Sequence, residues 1–274
     1  MRPFLFLALL AGVAACAPGR HTAAGAPATA SPRPSVDSTP GLPPSARALV
    51  EAVRARHGAT WYRTLAFVQE TKLHRDGETE TQTWYEAAEM PGRLRIDIAP
   101  LEAPTTIWFT SDSTLVARGG RIVNRRGSGN PLIGLGFDVV FRPAAETLAE
   151  MAGLGIDTAA VRVDTWEGRP AVVVGGAPGD EASPQVWYDR ERLVFVRLVE
   201  QNDGHRTDVR FADYEPLAGG WIAPRVEAYV DGVLVQEEQY RAIRAGVTFP
   251  EGTFDPARGA GVAWWTAIGY TGAE

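Results

Sequence analysis

The sequence predicts a mainly β protein built on one large, curved, antiparallel sheet with few helices. Three observations carry that expectation. From Leu65 onward, apolar and polar residues alternate with a period of two, the pattern of half-buried strands. The alternating stretches are short, and tight-turn dipeptides separate them: Asp76-Gly77, Glu167-Gly168, Asp203-Gly204, Gly219-Gly220 and Asp231-Gly232. Only two segments of the body show helical spacing. About ten or eleven strands and two helices result, and repeated hairpins make one meandering sheet. Two helices are too few to cover both faces of such a sheet, but they can fill its concave side.

The chain of 274 residues opens with MRPFLFLALLAGVAAC, whose last residue, Cys16, is its only cysteine. Arg2 supplies a positive flank, and Phe4 to Val13 is an apolar run of signal-peptide length. The run is too short to span a bilayer as a helix, which takes roughly twenty apolar residues. Val13-Ala14-Ala15 directly before Cys16 resembles the bacterial lipobox, which implies cleavage after residue 15 and lipidation of Cys16. The alternative is an ordinary secretory signal cut elsewhere. With no second thiol, no intramolecular disulfide can hold the fold, so cohesion must come from a packed core. Residues 16–44 are rich in Pro, Ala, Ser and Thr and carry no aromatic side chain. Such a segment cannot bury enough apolar surface to offset its ordering entropy, and is expected to be a disordered tether. The β domain is expected over 45–256, followed by an apolar C-terminal extension over 257–274.

The body begins with a predicted helix. Ser45 can cap it, Leu49, Val50 and Val53 fall at helical spacing, and Arg54 and Arg56 suit its last turn. Strands are then expected over 65–73, 79–87 and 93–98. In the last of these, Arg93-Leu94-Arg95-Ile96-Asp97-Ile98 alternates charged and apolar residues, as in a strand with one wet face. Further strands follow over 105–110, 114–118 and 121–124. A glycine-rich patch, GSGNPLIGLG, leads into a second helix that Pro143 opens and Gly153 closes. Strands resume over 160–165, 171–175, 185–189, 193–201, 207–214, 222–230 and 233–243.

Signatures of catalysis are mostly absent. Gly129 and Gly134 have P-loop spacing, but Leu135-Gly136 stand where Lys and Ser or Thr are needed. His21, His57, His74 and His205 lack ligand spacing, so no metal and no cofactor is expected. No Gly-x-Ser-x-Gly elbow occurs. Glu86, Asp97, Glu200 and Glu227 fall at alternating strand positions and read as a solvated sheet face, although a hydrolytic carboxylate pair stays open. The net charge of −6 and the lack of a basic block argue against nucleic acid as a partner.

Several pieces in order resemble the LolA/LolB-like superfamily of outer-membrane lipoprotein-sorting and periplasmic lipid carriers. They are Trp61-Tyr62, GRLRIDI at 92–98, VWYD at 186–189, FADYEPLAGGWIAPRVEAYVDG at 211–232 and VTFPEGTFD at 247–255. The resemblance implies an unclosed β-barrel of about eleven strands, with helices covering the concave face. It also implies a non-catalytic protein, expected as a monomer, that holds lipid or the acyl chains of lipoproteins between sheet and helices. The expected cavity residues are Phe67, Ile96, Ile107, Phe109, Phe195, Phe211, Trp221 and Val226, with ordinary core packing as the alternative for each. With Cys16 lipidated, the protein would be anchored in the bacterial envelope, facing the periplasm. Ala17, rather than Asp, after the cysteine favours the outer membrane. Two other readings stay open: a protein-binding or sensing envelope lipoprotein, and an envelope hydrolase. The tail is a departure from the family pattern. Trp264-Trp265 with Val262, Ile268 and Tyr270 is too apolar to hang free; an edge cover, the cavity and the membrane interface are its alternatives.

Overall fold

A computed structural model describes residue 43 and residues 45–202 and 204–272. The expected signal peptide, Cys16 and nearly all of the tether lie outside these residues. The first helix, α1 (Ala46–His57), forms where its pattern places it. The Ser45 hydroxyl accepts a hydrogen bond from the Ala48 N–H at 3.2 Å, and Leu49, Val50 and Val53 are buried.

Strands β1 (Thr64–Arg75), β2 (Glu78–Glu89), β3 (Arg93–Ile98), β4 (Thr105–Phe109), β5 (Thr114–Arg118) and β6 (Arg121–Arg126) form one consecutive meander. After α2 (Ala144–Gly153), a second meander runs through β7 (Val161–Trp166), β8 (Arg169–Val174), β9 (Gln185–Asp189), β10 (Phe195–Asn202) and β11 (His205–Ala212). A separate hairpin, β12 (Glu215–Leu217) with β13 (Gly220–Ile222), precedes β14 (Arg225–Val230) and β15 (Val233–Ala245). β15 pairs with β1, and β14 with β11, so the two halves join into one antiparallel sheet of thirteen strands. The edges, β6 and β7, do not meet, and the sheet stays unclosed. Bulges in the β1–β15 and β14–β15 ladders add twist where the halves meet.

The fold class is the expected one, but the strand count exceeds ten or eleven. Every turn-bounded stretch makes its own ladder, including strands of five residues such as β4, β5 and β9. The stretch expected as one strand over 222–230 is interrupted, because Pro224 has no N–H to give to a ladder. Turn chemistry sets the hairpins. Asp76 and Gly77 both take positive φ, 52° and 82°, as a two-residue turn matched to strand twist requires.

Both faces are covered where α1, α2 and the C-terminal segment pack, while β6 and the tips of the long hairpins stay exposed. On the inner face, Leu65 and Phe67 of β1 join a core with Leu49 and Val50 of α1, Leu135 and Val139 of the segment before α2, and Met151 of α2. On the outer face, Ala66 and Val68 of β1 and Tyr85 and Ala87 of β2 pack against Trp264, Trp265 and Tyr270. The extension therefore lies on the outer face of the first meander, with a short helix, α3 (Trp264–Ala267), at its centre.

This cover overturns the wet face expected for 93–98. Arg95 and Asp97 are fully buried. The Arg95 guanidinium donates to both Asp97 carboxylate oxygens, at 2.7 and 3.0 Å, and to the backbone carbonyls of Gly259 (2.8 Å) and Thr253 (3.2 Å). Asp97 also accepts from the Trp264 indole N–H at 2.7 Å and the Thr106 hydroxyl at 2.7 Å. The Trp108 indole donates to the Thr253 carbonyl at 3.1 Å. Gly259 permits the close approach: a Cβ there would lie 2.7 Å from the Gly252 carbonyl oxygen. Removing one member of such a pair leaves a buried charge without its counter-ion. Asp97→Ala is expected to lower unfolding stability by about 3–5 kcal/mol in urea titration. A loss under about 1 kcal/mol would refute this clamp.

Candidate functional site

A cleft lies between the inner face of the sheet and the glycine-rich segment that precedes α2. β1, β2 and β3 supply one wall through Leu65, Phe67, Trp84, Ala88, Leu94 and Ile96. β11, β14 and β15 supply the opposite side through Phe211, Val226 and Tyr240. Asn130, Leu132, Ile133 and Phe137 close it from above. The cleft is narrow, with a cavity volume of about 60 Å³, and it opens to solvent at one side.

The covering segment explains GSGNPLIGLG. The Asn130 side-chain oxygen accepts the Leu132 N–H at 2.9 Å and starts a wide helical turn over Ile133–Phe137. Gly134 passes directly beneath the Glu150 carboxylate, where a Cβ would come within 2.2 Å of its oxygen. Arg142 holds that carboxylate at 2.6 Å. The Tyr188 hydroxyl, rising from the sheet, donates to the Leu135 carbonyl at 2.8 Å. The glycines thus permit close packing of a lid rather than cradling phosphate.

Of the eight expected cavity residues, Phe67, Ile96, Phe211 and Val226 line the cleft. Ile107 and Phe109 pack beside it, in a cluster with Ile96 and Val116 on the strands beyond β3. Phe195 lies deeper in the core, edge-on to Tyr188 and Phe211 and 3.7 Å from the position of a Cβ on Gly136. Trp221 stands apart, because β13 belongs to the separate hairpin. Its carbonyl accepts the Tyr62 hydroxyl at 2.8 Å, and Arg192 lies over its ring at 4.9 Å.

The cleft also holds Glu86, one of four acids expected on a solvated face. Glu86, Asp97 and Glu200 are all buried, and only Glu227 of that set is half-exposed. The reason is the double cover of the sheet. Glu86 and Glu238 reach the cleft from β2 and β15, on opposite sides of β1. Glu238 accepts from Gln236 at 2.5 Å and from the Tyr240 hydroxyl at 3.0 Å. The Tyr240 ring stacks on Phe67 with centroids 4.1 Å apart. Glu86 has no hydrogen-bond partner among the described residues. The strand period held the signal for this pair of walls: Gln69 continues the phase of Leu65 and Phe67, and Glu86 lies between Trp84 and Ala88.

Burial dominates the electrostatics. It pushes the Glu86 carboxyl well above the ordinary carboxylate range, and the nearby Glu238 adds to the effect. Burial pushes Glu238 up to about 7, although the hydrogen bonds from Tyr240 and Gln236 partly offset it. Glu200 is pushed up to about 7 by burial and then by the charge of Glu150. Asp138, beneath the lid, is also raised to about 7 by burial, with Arg142 opposing. Elsewhere burial is outweighed: hydrogen bonds from Arg169 and Arg197 hold Asp189 and Asp208 below the ordinary range. No group of three or more His, Cys, Asp or Glu among the described residues could hold a metal ion.

Raised carboxyls make the folded state bind more protons than the unfolded state between their ordinary values and about pH 7. These carboxyls make stability fall as pH rises through that window, and the buried His57, held below its ordinary value by desolvation, opposes them in part there. The depressed Asp189 and Asp208 act oppositely, and only in more acidic solution. Thermal unfolding is expected at least about 5 °C higher at pH 5 than at pH 8, and Glu238→Gln should narrow the gap. A Tm that is flat or rises from pH 5 to pH 8 would contradict this assignment.

No protein-family model and no curated protein matches the sequence. Solved structures do match its fold. A DUF1329 family protein from Desulfovibrio piger aligns over 77% of this chain and 95% of its own, at 12% identity and a TM-score of 0.53. A putative outer membrane lipoprotein-sorting protein domain from Vibrio parahaemolyticus aligns over 76% and 95%, at 14% identity and 0.53. A LolA superfamily protein from Nitrosomonas europaea aligns over 77% and 97%, at 10% identity and 0.50. The fold is therefore LolA-like, as the order of sequence pieces implied.

Proposed function

We propose that this protein is a non-catalytic bacterial envelope lipoprotein that holds lipid, or the acyl chains of lipoproteins, in the inner cleft. It acts as a carrier or acceptor in lipid or lipoprotein sorting. The observation that carries the proposal is the open, mainly apolar cleft between sheet and lid. Burial of each CH₂ group is worth about 0.8 kcal/mol, so one chain binds without polar specificity. A protein-binding or sensing role without cargo predicts a filled interior that takes up no lipid, whereas the carrier predicts that this narrow apolar cleft widens around a chain. The names of the Vibrio and Nitrosomonas proteins agree with it.

Native mass spectrometry of protein purified from a membrane-containing host is expected to show co-purifying lipid. Lipid-free protein that also fails to bind a fluorescent fatty acid would overturn the proposal.

The Glu86–Glu238 pair favours a second reading, a hydrolase with two acids in one pocket. Burial raises both carboxyls, and Glu238 accepts hydrogen bonds from Gln236 and Tyr240; release of free acid from a bound ester would separate this reading from the carrier.

The proposal includes anchoring through Cys16, with the outer membrane as the favoured site, a tether over 16–44 and a monomeric body. Replacing Cys16 with Ser is expected to move the protein from the membrane fraction to the soluble fraction with its thermal unfolding unchanged. Continued membrane association of Cys16→Ser protein would show that another segment anchors it.

A further inference from the structure

Glu86 is 5% exposed and lines the apolar cleft, yet it has no hydrogen-bond partner among the described residues. It stands in mid-strand, opposite Phe67 on one side and Ile96 on the other, both apolar cleft residues. Its oxygens border space that water can reach, so a ligand that displaces this water without an acceptor of its own leaves the group unpaired, at a cost of about 1–3 kcal/mol. Its neighbour Glu238 is different in kind: donors on Gln236 and Tyr240 occupy its two oxygens. We propose that Glu86 is a ligand-binding residue whose carboxylic O–H donates to an acceptor oxygen, the ester or amide carbonyl of an acyl group, carried into the cleft by a single-chain amphiphile.

Three features favour a carbonyl over a cation. Burial, and then the neighbouring Glu238, raise the Glu86 carboxyl and so favour its proton-donating form. The donors around Glu238 leave Glu86 as the member of the pair with an O–H to give. The walls beside Glu86 are hydrocarbon and aromatic, so a chain attached to the carbonyl continues along them. A plain hydrocarbon tail would leave the buried O–H unsatisfied, whereas an acyl carbonyl satisfies it. The cleft thereby distinguishes acyl chains from alkyl chains of equal length.

This inference rests on the lipid-carrier proposal, and a matched ligand pair separates the two. The full-length protein, solubilised and stripped of lipid, is loaded with N-phenyl-1-naphthylamine. The probe is displaced at neutral pH by 1-monopalmitoylglycerol or by its 1-O-hexadecyl ether, which lacks only the carbonyl. The ester is expected to bind about five- to tenfold more tightly than the ether, the range of one neutral hydrogen bond. Glu86→Gln keeps a donor and should keep the preference. Glu86→Leu should abolish it while leaving ether binding within about twofold; thermal unfolding checks that both variants are folded. Equal affinity of wild type for ester and ether overturns this inference and leaves the carrier proposal standing. So does loss of the preference in Glu86→Gln, or tighter binding of hexadecylamine that Glu86→Gln removes, because each makes charge rather than a neutral donor the determinant. Release of palmitate from the ester also overturns it, by making Glu86 part of a hydrolase. Failure of every ligand to displace the probe defeats both proposals.

Discussion

The ion pair between Arg95 and Asp97 decides how the rest of the molecule is arranged. It stands on the outer face of β3, where an antiparallel sheet covered on one side alone would meet water. Here the C-terminal segment seals that face, and the pair holds the segment by its backbone and by one indole. Arg95 binds two carbonyls of the segment and Asp97 binds the Trp264 N–H, so sheet and cover satisfy each other's polar groups. An unpaired charge at that depth would be costly, and the pair tolerates burial because Asp97 has four donors around it and Arg95 four acceptor contacts. With the outer face closed, the inner face is the remaining side of the first meander on which a ligand can lie.

The two covers differ in chemistry. The outer one is a dense aromatic patch, with Phe249, Trp264, Trp265 and Tyr270 meeting edge-on. The inner one consists of two helices and a glycine-rich turn that must span a sheet of thirteen strands. α1, α2 and the turn between the lid and α2 fill the side over the second meander and the β1 end, with Leu49, Val50, Val139 and Met151 fully packed. Over β1 to β3 only the turn reaches across, and the cleft is the space it leaves. The uneven distribution of helix over a single long sheet places the cleft, rather than any special motif at its walls.

Much of the fold was legible because hairpin chemistry and strand period are local. The Ser45 cap, the Asp76-Gly77 and Asp231-Gly232 turns, and the phase of β1 and β14 all follow from neighbouring residues. The facing of each strand was harder. Arg95 and Asp97 alternate with Leu94 and Ile96 as a wet face would, and nothing within seven residues of them says that a segment more than 150 residues later covers them. Among the expected cavity residues, Phe67, Ile96, Phe211 and Val226 line the cleft on strands no more than two away from the β1–β15 junction, where strand phase directs them inward. Trp221 and Phe195 do not line it. The break at Pro224 takes Trp221 into another sheet, and Phe195 lies under the lid because its strand crosses beneath Gly136. Apolarity marks a buried position, but strand order decides which buried positions share a wall.

The acidic interior follows from the same double cover. A strand that alternates between two buried faces has no solvent side on which to place its polar residues, so each one must find a partner or stay neutral. Asp97 and Asp208 take the first course, through arginines that reach both of their oxygens. Glu238 takes it in part, through neutral donors. Burial pushes Glu86 towards the second, since its strand partners Phe67 and Ile96 are apolar and no arginine among the described residues hydrogen-bonds it. A neutral carboxyl in a hydrocarbon wall is a donor held in place by the sheet itself, with its position fixed by the ladders to β1 and β3 on either side. Where the outer face spends its polar residues on closing the fold, the inner face keeps one in reserve within the cleft.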